Sequence, residues 1–279
     1  MYIELDDFRQ SYVVAKNEMR KFVRGKRFTL YVALIAAVFS LITFLPYLLG
    51  GSLGETPGEV IASYVSFISF IVILAATLFA SVVIVSEFEE RTALILFTRP
   101  VKKTSIFVGK VMGCLLLETV MIVLFYVGMA VTSMIVAGSV DKELLISLGL
   151  TFLFIVATSG VAVFISSVMK KGSTCAILTF VFLLLILPIL TQVVSGATSV
   201  DTWFMLDQTS DAIATCIPAY VDQMNAMIQN IIDHMGLPEE AFDRMMIKAP
   251  DLVKTVGTMI GWSVVSLVLA WIAFIRREF

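Results

Sequence analysis

The chain is poor in the residue types on which metalloenzymes and disulfide-rich domains depend. Its 279 residues include three cysteines and one histidine, and 15% of them are charged. The cysteines lie in separate segments and no Cys or His spacing matches a zinc site, so neither a disulfide framework nor a bound metal is predicted. A Gly-x-x-x-x-Gly-Lys-Ser/Thr phosphate loop is also missing. We therefore predict that the chain is not itself an enzyme and binds no cofactor.

Long apolar stretches are the most abundant feature of the chain. Hydrophobic residues make up 59% of it, and its mean hydropathy is +0.96. Six stretches reach the roughly 20 residues that a helix needs to cross a bilayer. Helices are expected because hydrocarbon offers backbone polar groups no partner outside their own segment. The sequence predicts an all-α polytopic membrane protein with six transmembrane helices, at about 28–49, 60–85, 106–137, 144–168, 174–196 and 252–275.

Charge is sorted between the two sides of these stretches. Sixteen of the 20 Lys and Arg precede the first stretch, follow the sixth, or lie between the second and third or the fourth and fifth. Thirteen of the 22 Asp and Glu lie on the opposite side. The positive-inside rule therefore places the basic side and both termini in the cytoplasm, with the protein in the plasma membrane. The net charge of −2 averages two unlike faces, and no basic-aromatic surface for nucleic acid is present.

Residues 1–27 are predicted to form an amphipathic helix in the membrane interface. The apolar run that follows them is longer than the 7–15 residues of a signal-peptide core. Basic residues occupy one side of the helix, so its cations would face lipid phosphates while its apolar side lies among the acyl chains. The alternative is a solvated helix packed on a partner protein. The apolar positions at helical spacing are Phe8, Tyr12, Ala15, Met19, Phe22 and Val23.

The loop between the second and third stretches carries the most specific pattern. Glu87, Glu89 and Glu90 favour a helix N-terminus, because carboxylates interact well with the helix dipole there. Pro100 is a stop signal for such a helix. The pattern predicts a short cytoplasmic helix over about 87–98, after which the chain turns back into the membrane. The loop between the fourth and fifth stretches is a tight basic reversal at 166–176.

These motifs, in this order, resemble the membrane subunit, or permease, of type-two ABC exporters. In that family an acidic residue ends the second span, a short helix leads to a Leu-x-x-Pro-Val-basic turn, and Gly-Lys begins the third span. The amphipathic start resembles the family's elbow helix, and the copper-maturation and gliding-type branch is the nearest. Arg91 departs from the pattern, since the family has glycine there. The matching positions are Glu87, Thr92, Leu94, Leu96, Arg99, Pro100, Val101, Lys102, Gly109, Lys110 and Ala176.

The resemblance implies a permease subunit of an ATP-driven exporter. Two copies of the chain would form the translocation path, and two separate ABC ATPase subunits would carry ATP and Mg²⁺. The helix over 87–98 would be the coupling helix that docks on the ATPase, whereas a merely connecting loop is the alternative. Other functions kept open are a proton- or ion-coupled secondary transporter and a non-transporting membrane scaffold for an ATPase complex. The implied coupling residues are Glu87, Glu90, Arg91, Thr92, Leu94, Arg99 and Pro100.

Glu118 is the ionisable residue that stands out inside the predicted spans. It lies near mid-depth of the third stretch, where a carboxylate must be protonated, paired or exposed to water. We predict a protonated group that hydrogen-bonds a neighbouring helix. Contact with a polar or cationic substrate in the translocation path is the alternative. Nearby, Gly109 and Gly113 form a small-x-x-x-small pair, which predicts close helix packing.

The segment 197–251 is too long for a simple connection between spans. Helices are predicted at 211–216, at 218–235 and from Pro238 onward. Its methionines, with His234 and Cys216, are soft ligands that suit Cu(I), but methionine at helical spacing is more typical of adaptable packing. We predict a small helical cap that closes the outer mouth or meets an extracytoplasmic partner. The chain is thus divided into 1–27, 28–196, 197–251 and 252–279.

Overall fold

The computed structural model describes residues 2–89, 102–197, 202–236 and 245–277. These residues are largely helical, and no strand occurs among them. Six helical segments are long and apolar enough to cross a membrane, which confirms the predicted all-α polytopic fold. In chain order, the first to sixth spans are Lys26–Leu48, Pro57–Glu89, Lys103–Ala137, Glu143–Val168, Gly172–Ala197 and Leu252–Arg276.

The third span is the longest. Its 35 residues correspond to about 52 Å of helix at 1.5 Å per residue. The hydrocarbon core of a bilayer is only about 30 Å thick. The ends of this span therefore extend beyond the hydrocarbon, where they are able to pack against elements that do not cross the membrane.

The two ends of the helix bundle differ in charge, and we name them accordingly. The basic end contains the N-terminal helix, the turn at 169–171 and the C-terminal Arg276 and Arg277. The acidic end contains the loops at 49–56 and 138–142 and the described residues 202–236 and 245–251. Odd-numbered spans run from the basic to the acidic end, and even-numbered spans run back.

The second and fourth spans form the centre of the bundle. In their most apolar windows, 78% of the second span and 61% of the fourth are buried inside the chain, against 11% of the first. The fourth span packs along the sixth and also against the second. The first span buries two residues, Tyr31 and Ile42. Most of its apolar surface is thus left for lipid or for another chain.

The second span is interrupted near the basic end. Between Leu78 and Val85 its α-helical pattern gives way to a 3-10 turn, and side chains of other spans take up the backbone hydrogen bonds. Ser166 Oγ accepts from the amides of Ile84 (3.2 Å) and Val85 (3.0 Å), and Cys175 Sγ donates to a carbonyl of the turn. Non-helical backbone at membrane depth is tolerated where protein buries it. The pieces are Pro57–Val65, Ile68–Leu78, Ala80–Val82 and Val85–Glu89.

The fifth span changes geometry just before Pro188. It is α-helical over Gly172–Val181, π-helical over Phe182–Ile186 and α-helical again over Leu187–Ala197. Proline has no amide hydrogen to give to the preceding turn, and its ring crowds the carbonyl four residues earlier. A wider π turn at this place accommodates both effects without ending the helix.

The N-terminal helix, Tyr2–Val23, packs along the basic end of the third span. Gly109 and Gly113 allow the close approach. A Cβ added to Gly109 would lie 2.6 Å from the carbonyl oxygen of Ser11, and one added to Gly113 would lie 2.7 Å from that of Ala15. The predicted small-x-x-x-small pair is therefore confirmed as a helix-packing surface.

The packed face of this helix coincides only in part with the apolar face that spacing predicts, since Ala15 and Phe22 are buried on it. Ser11, Ala15 and Glu18 are buried against the third span, whereas Phe8 is 70% and Tyr12 62% exposed. Glu18 turns inward because a lysine of the third span pairs with it there. Phe8 and Tyr12 are left in positions suited to lipid, so an interfacial location of the helix stays a prediction.

Two helices cover part of the acidic end, and both were predicted in outline. Pro218–Met235 has the predicted bounds, whereas Leu206–Thr215 begins five residues before the predicted 211. The side chain of Asn225 ties the second helix to the chain leading into the sixth span. It donates to the carbonyl of Ile247 at 3.0 Å and accepts from its amide at 2.8 Å. The predicted helix from Pro238 lies outside the described residues.

Candidate functional site

The last turn of the second span, Val85–Glu89, holds the basic end together. Its last three residues are the first three of the predicted coupling segment, 87–98. Glu87, Phe88 and Glu89 are consecutive on a helix, so their side chains point in directions about 100° apart. Each of the three contacts a different part of the bundle.

Glu87 belongs to a buried ion cluster. Lys110 Nζ, on the third span, lies 2.8 Å from Glu87 Oε1 and 3.0 Å from Glu18 Oε2 on the N-terminal helix. Lys21 Nζ lies 3.5 Å from the same oxygen of Glu87. The Lys110 side chain is 4% exposed, and loss of one partner from a buried pair costs about 3–5 kcal/mol. The two lysines and two glutamates balance in formal charge, which makes their burial tolerable.

Phe88 contacts the end of the sixth span. The guanidinium carbon of Arg277 lies 3.8 Å from the centre of the Phe88 ring, in a cation–π arrangement. The same guanidinium donates to the carbonyls of Ser167 at 3.2 Å and Met169 at 2.7 Å. These carbonyls lie at the C-terminus of the fourth span, where a cation satisfies carbonyls that the helix leaves unpaired. Phe88 and Arg277 thereby join the second, fourth and sixth spans.

Glu89 contacts the start of the fifth span. Its Oε2 accepts a hydrogen bond from the backbone N–H of Gly172 at 2.9 Å. A carboxylate at this position satisfies an unpaired amide and interacts favourably with the helix dipole. Glycine leaves the room for it, since a Cβ on Gly172 would lie 2.9 Å from that same oxygen.

The arrangement is suited to holding helices in position rather than to reacting with a substrate. A displacement of the chain beyond Glu89 would act on the N-terminal helix and third span through Glu87. It would act on the fourth and sixth spans through Phe88, and on the fifth span through Glu89. We call this set of contacts the basic-end junction, which consists of Glu18, Lys21, Glu87, Phe88, Glu89, Lys110 and Arg277.

Of the predicted coupling residues, the structure describes Glu87 alone. Its carboxylate is held by Lys110 and Lys21, so its described contacts lie inside the permease. Direct contact of Glu87 with an ATPase stays a prediction. The other predicted coupling residues lie outside the described residues, namely Glu90, Arg91, Thr92, Leu94, Arg99 and Pro100.

Glu118 is enclosed between two spans. Its residue is 1% exposed. Ser159 Oγ, on the fourth span, donates to Glu118 Oε2 at 2.5 Å, and Cys114 Sγ donates to Oε1 at 3.3 Å. This is the contact that the packing interpretation predicts, because it joins two neighbouring helices. A place for Glu118 in the translocation path stays a hypothesis.

Sequence reasoning missed several members of the junction. Glu18 has a sequence signal, since it falls on the same helical face as Ser11, Ala15 and Phe22 in a region otherwise rich in lysine and arginine. For Arg277 the neighbouring sequence gives no such signal. The carbonyls it binds are available only because the fourth span ends beside the sixth.

The chain matches a known family over nearly its full length. Residues 12–279 match the family described as ABC-2 family transporter protein. The match begins inside the N-terminal helix and includes all six spans. No curated protein matches the chain.

Proposed function

Because the chain belongs to the ABC-2 transporter family, we propose that it is the membrane subunit of an ATP-driven exporter. Members of that family are permease components, so an ABC ATPase is the partner that supplies the energy. Export as the direction of transport, and the number of subunits, belong to the proposal. The basic-end junction is the observation that supports it most strongly.

The junction suits a coupling role because of its place and its stiffness. It includes Glu87, Phe88 and Glu89, the first three residues of the segment 87–98, so a push on the rest of that segment would reach these three residues first. Buried ion pairs that would cost about 3–5 kcal/mol to break transmit such a push without yielding. A flexible loop at this place would absorb the motion instead.

Two copies of the chain are proposed to form the path. The least buried spans are the first, at 11%, and the fifth, at 22% of their most apolar windows. Most residues in these two windows are therefore left for lipid or for another copy of the chain. Mass measurement of the intact complex tests this point, since a pair of permeases with two ATPase subunits has a defined mass.

Orientation is testable with a membrane-impermeant thiol reagent. If the basic end faces the cytoplasm, Ser52→Cys should be labelled in intact cells and Ser173→Cys should not. The native Cys216 is a poorer reporter, because burial raises its pKa to about 11 and leaves little reactive thiolate. Labelling of Ser173→Cys with protection of Ser52→Cys would reverse the proposed topology.

Charge reversal in the coupling segment tests coupling itself. With the ABC ATPase that copurifies with the tagged chain, Glu90→Lys and Arg91→Glu should each lower its vanadate-sensitive hydrolysis about 10-fold, or ~1.4 kcal/mol. The reason is that interface charges fix register and specificity. The unfolding temperature should be unchanged, and Lys142→Glu at the acidic end serves as the matched reversal without effect.

Three other outcomes contradict the proposal. If no ATPase copurifies with the chain, a secondary transporter becomes the better account. If both reversals leave hydrolysis unchanged, the segment 87–98 only connects two spans. If the ATPase binds and hydrolyses ATP but drives no movement of any solute or lipid in vesicles, the chain is a scaffold.

A further inference from the structure

Two adjoining cavities open beside the sixth span at the acidic end, and they share Trp203 and Lys254. One is apolar, with a volume of about 640 Å³. The other is polar, with a volume of about 370 Å³. We call them the apolar groove, lined by Trp203, Phe204, Gly257, Gly261, Trp262 and Val265, and the polar pocket, lined by Gln208, Asp211, Thr215, Lys248, Asp251 and Lys254.

The wall of the apolar groove is fixed in place by hydrogen bonds. Trp262 Nε1 donates to the carbonyl of Phe204 at 2.9 Å, and Thr258 Oγ1 donates to the carbonyl of Trp203 at 3.2 Å. Both bonds join the segment before Leu206 to the sixth span. The aromatic wall therefore keeps a constant position over the helix.

The floor of the groove is made by two glycines one turn apart. No heavy atom lies within 4 Å of a Cβ added to Gly257 or to Gly261. The space above them is consequently open, in contrast to the tightly filled space at Gly109 and Gly113. Glycine here gives the groove its depth.

The groove runs along a helix long and apolar enough to cross a membrane, and it suits a hydrocarbon chain. From Val253 to Val265 the sixth span rises about 18 Å, which is close to the depth of one leaflet. Its aromatic and aliphatic lining offers water few partners. If the sixth span crosses the bilayer, lipid of the adjacent leaflet would face the open side of the groove.

The polar pocket carries both signs of charge. Lys248 and Lys254 face it together with Asp211 and Asp251. Lys254 and Asp251 are only loosely paired, at 3.7 Å, with side chains 57% and 53% exposed. Both are thus accessible to a bound group. Lysines suit a phosphate, and aspartates suit an ammonium but oppose an anionic headgroup.

Asp211 lines the polar pocket and is an exposed residue, so its carboxyl is accessible to a bound group. Partial desolvation of this carboxyl, with the nearby charge of Asp207, raises the pKa of Asp211 to about 6. An added cation next to this carboxylate would stabilise its charged form.

We propose that the groove and pocket together are a binding site for a zwitterionic aminophospholipid. One acyl chain lies in the apolar groove, the phosphate lies near Lys248 and Lys254, and the amine lies near Asp211 and Asp251. The site is separate from the basic-end junction and does not depend on the coupling role proposed for it.

Native mass spectrometry of the purified chain tests the acyl-chain part. After incubation with equal amounts of palmitoyl-oleoyl phosphatidylethanolamine and phosphatidylglycerol, the chain should retain the ethanolamine lipid preferentially. Gly257→Leu and Gly261→Leu fill the groove and should lower its retention about 10-fold. Gly149→Leu is the matched control, since it also adds a side chain to open space on a helix near the acidic end, outside both cavities.

Headgroup variants test the polar part. Asp211→Asn should reduce the preference for the ethanolamine lipid, because it removes a negative charge that faces the ammonium. Lys254→Gln should instead lower the retention of both lipids, because both carry the phosphate that this lysine faces. Lys142→Gln and Asp222→Asn change exposed residues at the same end outside both cavities. These controls should leave the preference as it is in the parent chain.

The same spectra contain the results that would overturn the proposal. Equal retention by Gly257→Leu, Gly149→Leu and the parent would show that the lipid is only general annular lipid. Equal retention of the two lipids by the parent would refute the headgroup assignment. Loss of a dimer mass in Gly257→Leu, with lipid retention unchanged, would show that a second copy of the chain occupies the groove.

Discussion

The two ends of this bundle use similar residues in opposite ways. At the basic end Lys110 is 4% exposed and lies within 3.0 Å of both Glu18 and Glu87. At the acidic end Lys254 is 57% exposed and lies 3.7 Å from Asp251. The ion cluster at the basic end holds the N-terminal helix, the second span and the third span relative to one another. The exposed, loose pair at the acidic end leaves its charges accessible. This difference is the basis of the two proposals, a coupling role for the basic end and a lipid site at the acidic end.

Two pairs of glycines, one at each end of the bundle, differ in the same way. Gly109 and Gly113 have the same spacing as Gly257 and Gly261, and each pair lies on a membrane span. The first pair is covered by the backbone of the N-terminal helix, and the second pair has open space above it. What a small-x-x-x-small pair does is decided by the partner that the fold brings to it.

The largest expected difference between the ends concerns the two lysines. Lys110→Met should lower the free energy of unfolding by about 3–5 kcal/mol, because it leaves Glu18 and Glu87 buried without their cation. Lys254→Met should change it by at most about 1 kcal/mol, as is usual for an exposed pair. Denaturant unfolding in detergent measures both. Equal, small effects would mean that the basic end is not held by its ion cluster.

Substitution by alanine should lower the stability of the fold at Gly109 and raise it at Gly257. Gly109→Ala brings a Cβ against the backbone of Ser11 and should destabilise the fold by about 1–3 kcal/mol. Gly257→Ala meets no atom and should stabilise the helix by about 0.8–1.0 kcal/mol, since alanine is the better helix former. Thermal unfolding of the two single variants is sufficient. A Gly109→Ala variant as stable as the parent, or more stable, would contradict the close packing of the N-terminal helix.

Removal of the Glu89 carboxylate should have a smaller effect. Glu89→Ala takes away the acceptor for the Gly172 amide and should cost about 0.5–2 kcal/mol, the usual range for a lost helix cap. Glu89→Gln keeps an acceptor oxygen and should recover most of that loss. Hydrogen exchange of the first turn of the fifth span reports on the site directly. Unchanged protection in Glu89→Ala would show that the cap does not hold this helix.

Substitution of Glu118, which lies between the two ends, should change the stability of the fold least. Glu118→Gln preserves the hydrogen bond with Ser159, so its stability should equal that of the parent within about 0.5 kcal/mol. ATP hydrolysis and transport by the assembled complex should also persist. Glu118→Leu, which cannot hydrogen-bond Ser159, is the contrasting variant. A Gln variant that folds normally but does not transport would place Glu118 in the translocation path.

The spans could be predicted from sequence because each is a continuous apolar run whose length is set by the bilayer. The interruption of the second span could not, since it depends on Ser166 and Cys175 of other spans accepting and donating its backbone hydrogen bonds. A loop motif pointed to Glu87, but not to its partners. Lys110 lies 23 residues away and Glu18 lies 92 residues from that lysine, so the pairing exists only after folding.

The proposed lipid site could not be predicted from neighbouring residues either, for the same reason. Trp203 and Phe204 precede the sixth span by about 50 residues, and they form a wall only because Thr258 and Trp262 bind their carbonyls. The helix Pro218–Met235, by contrast, is defined by a proline at its first turn and a left-handed glycine at Gly236. Its bounds could therefore be predicted correctly from neighbouring residues.

The central claim, that the ATPase docks at the basic end, is tested most directly by site-specific crosslinking. A photoreactive residue is placed at Arg91, in the coupling segment, or at Lys142, on the exposed acidic end. Each chain is then irradiated in membranes that contain its ABC ATPase, and the products are identified by mass spectrometry. The account predicts a crosslink to the ATPase from position 91 and none from position 142. A crosslink from position 142, or none from position 91 in a complex that copurifies, would contradict it.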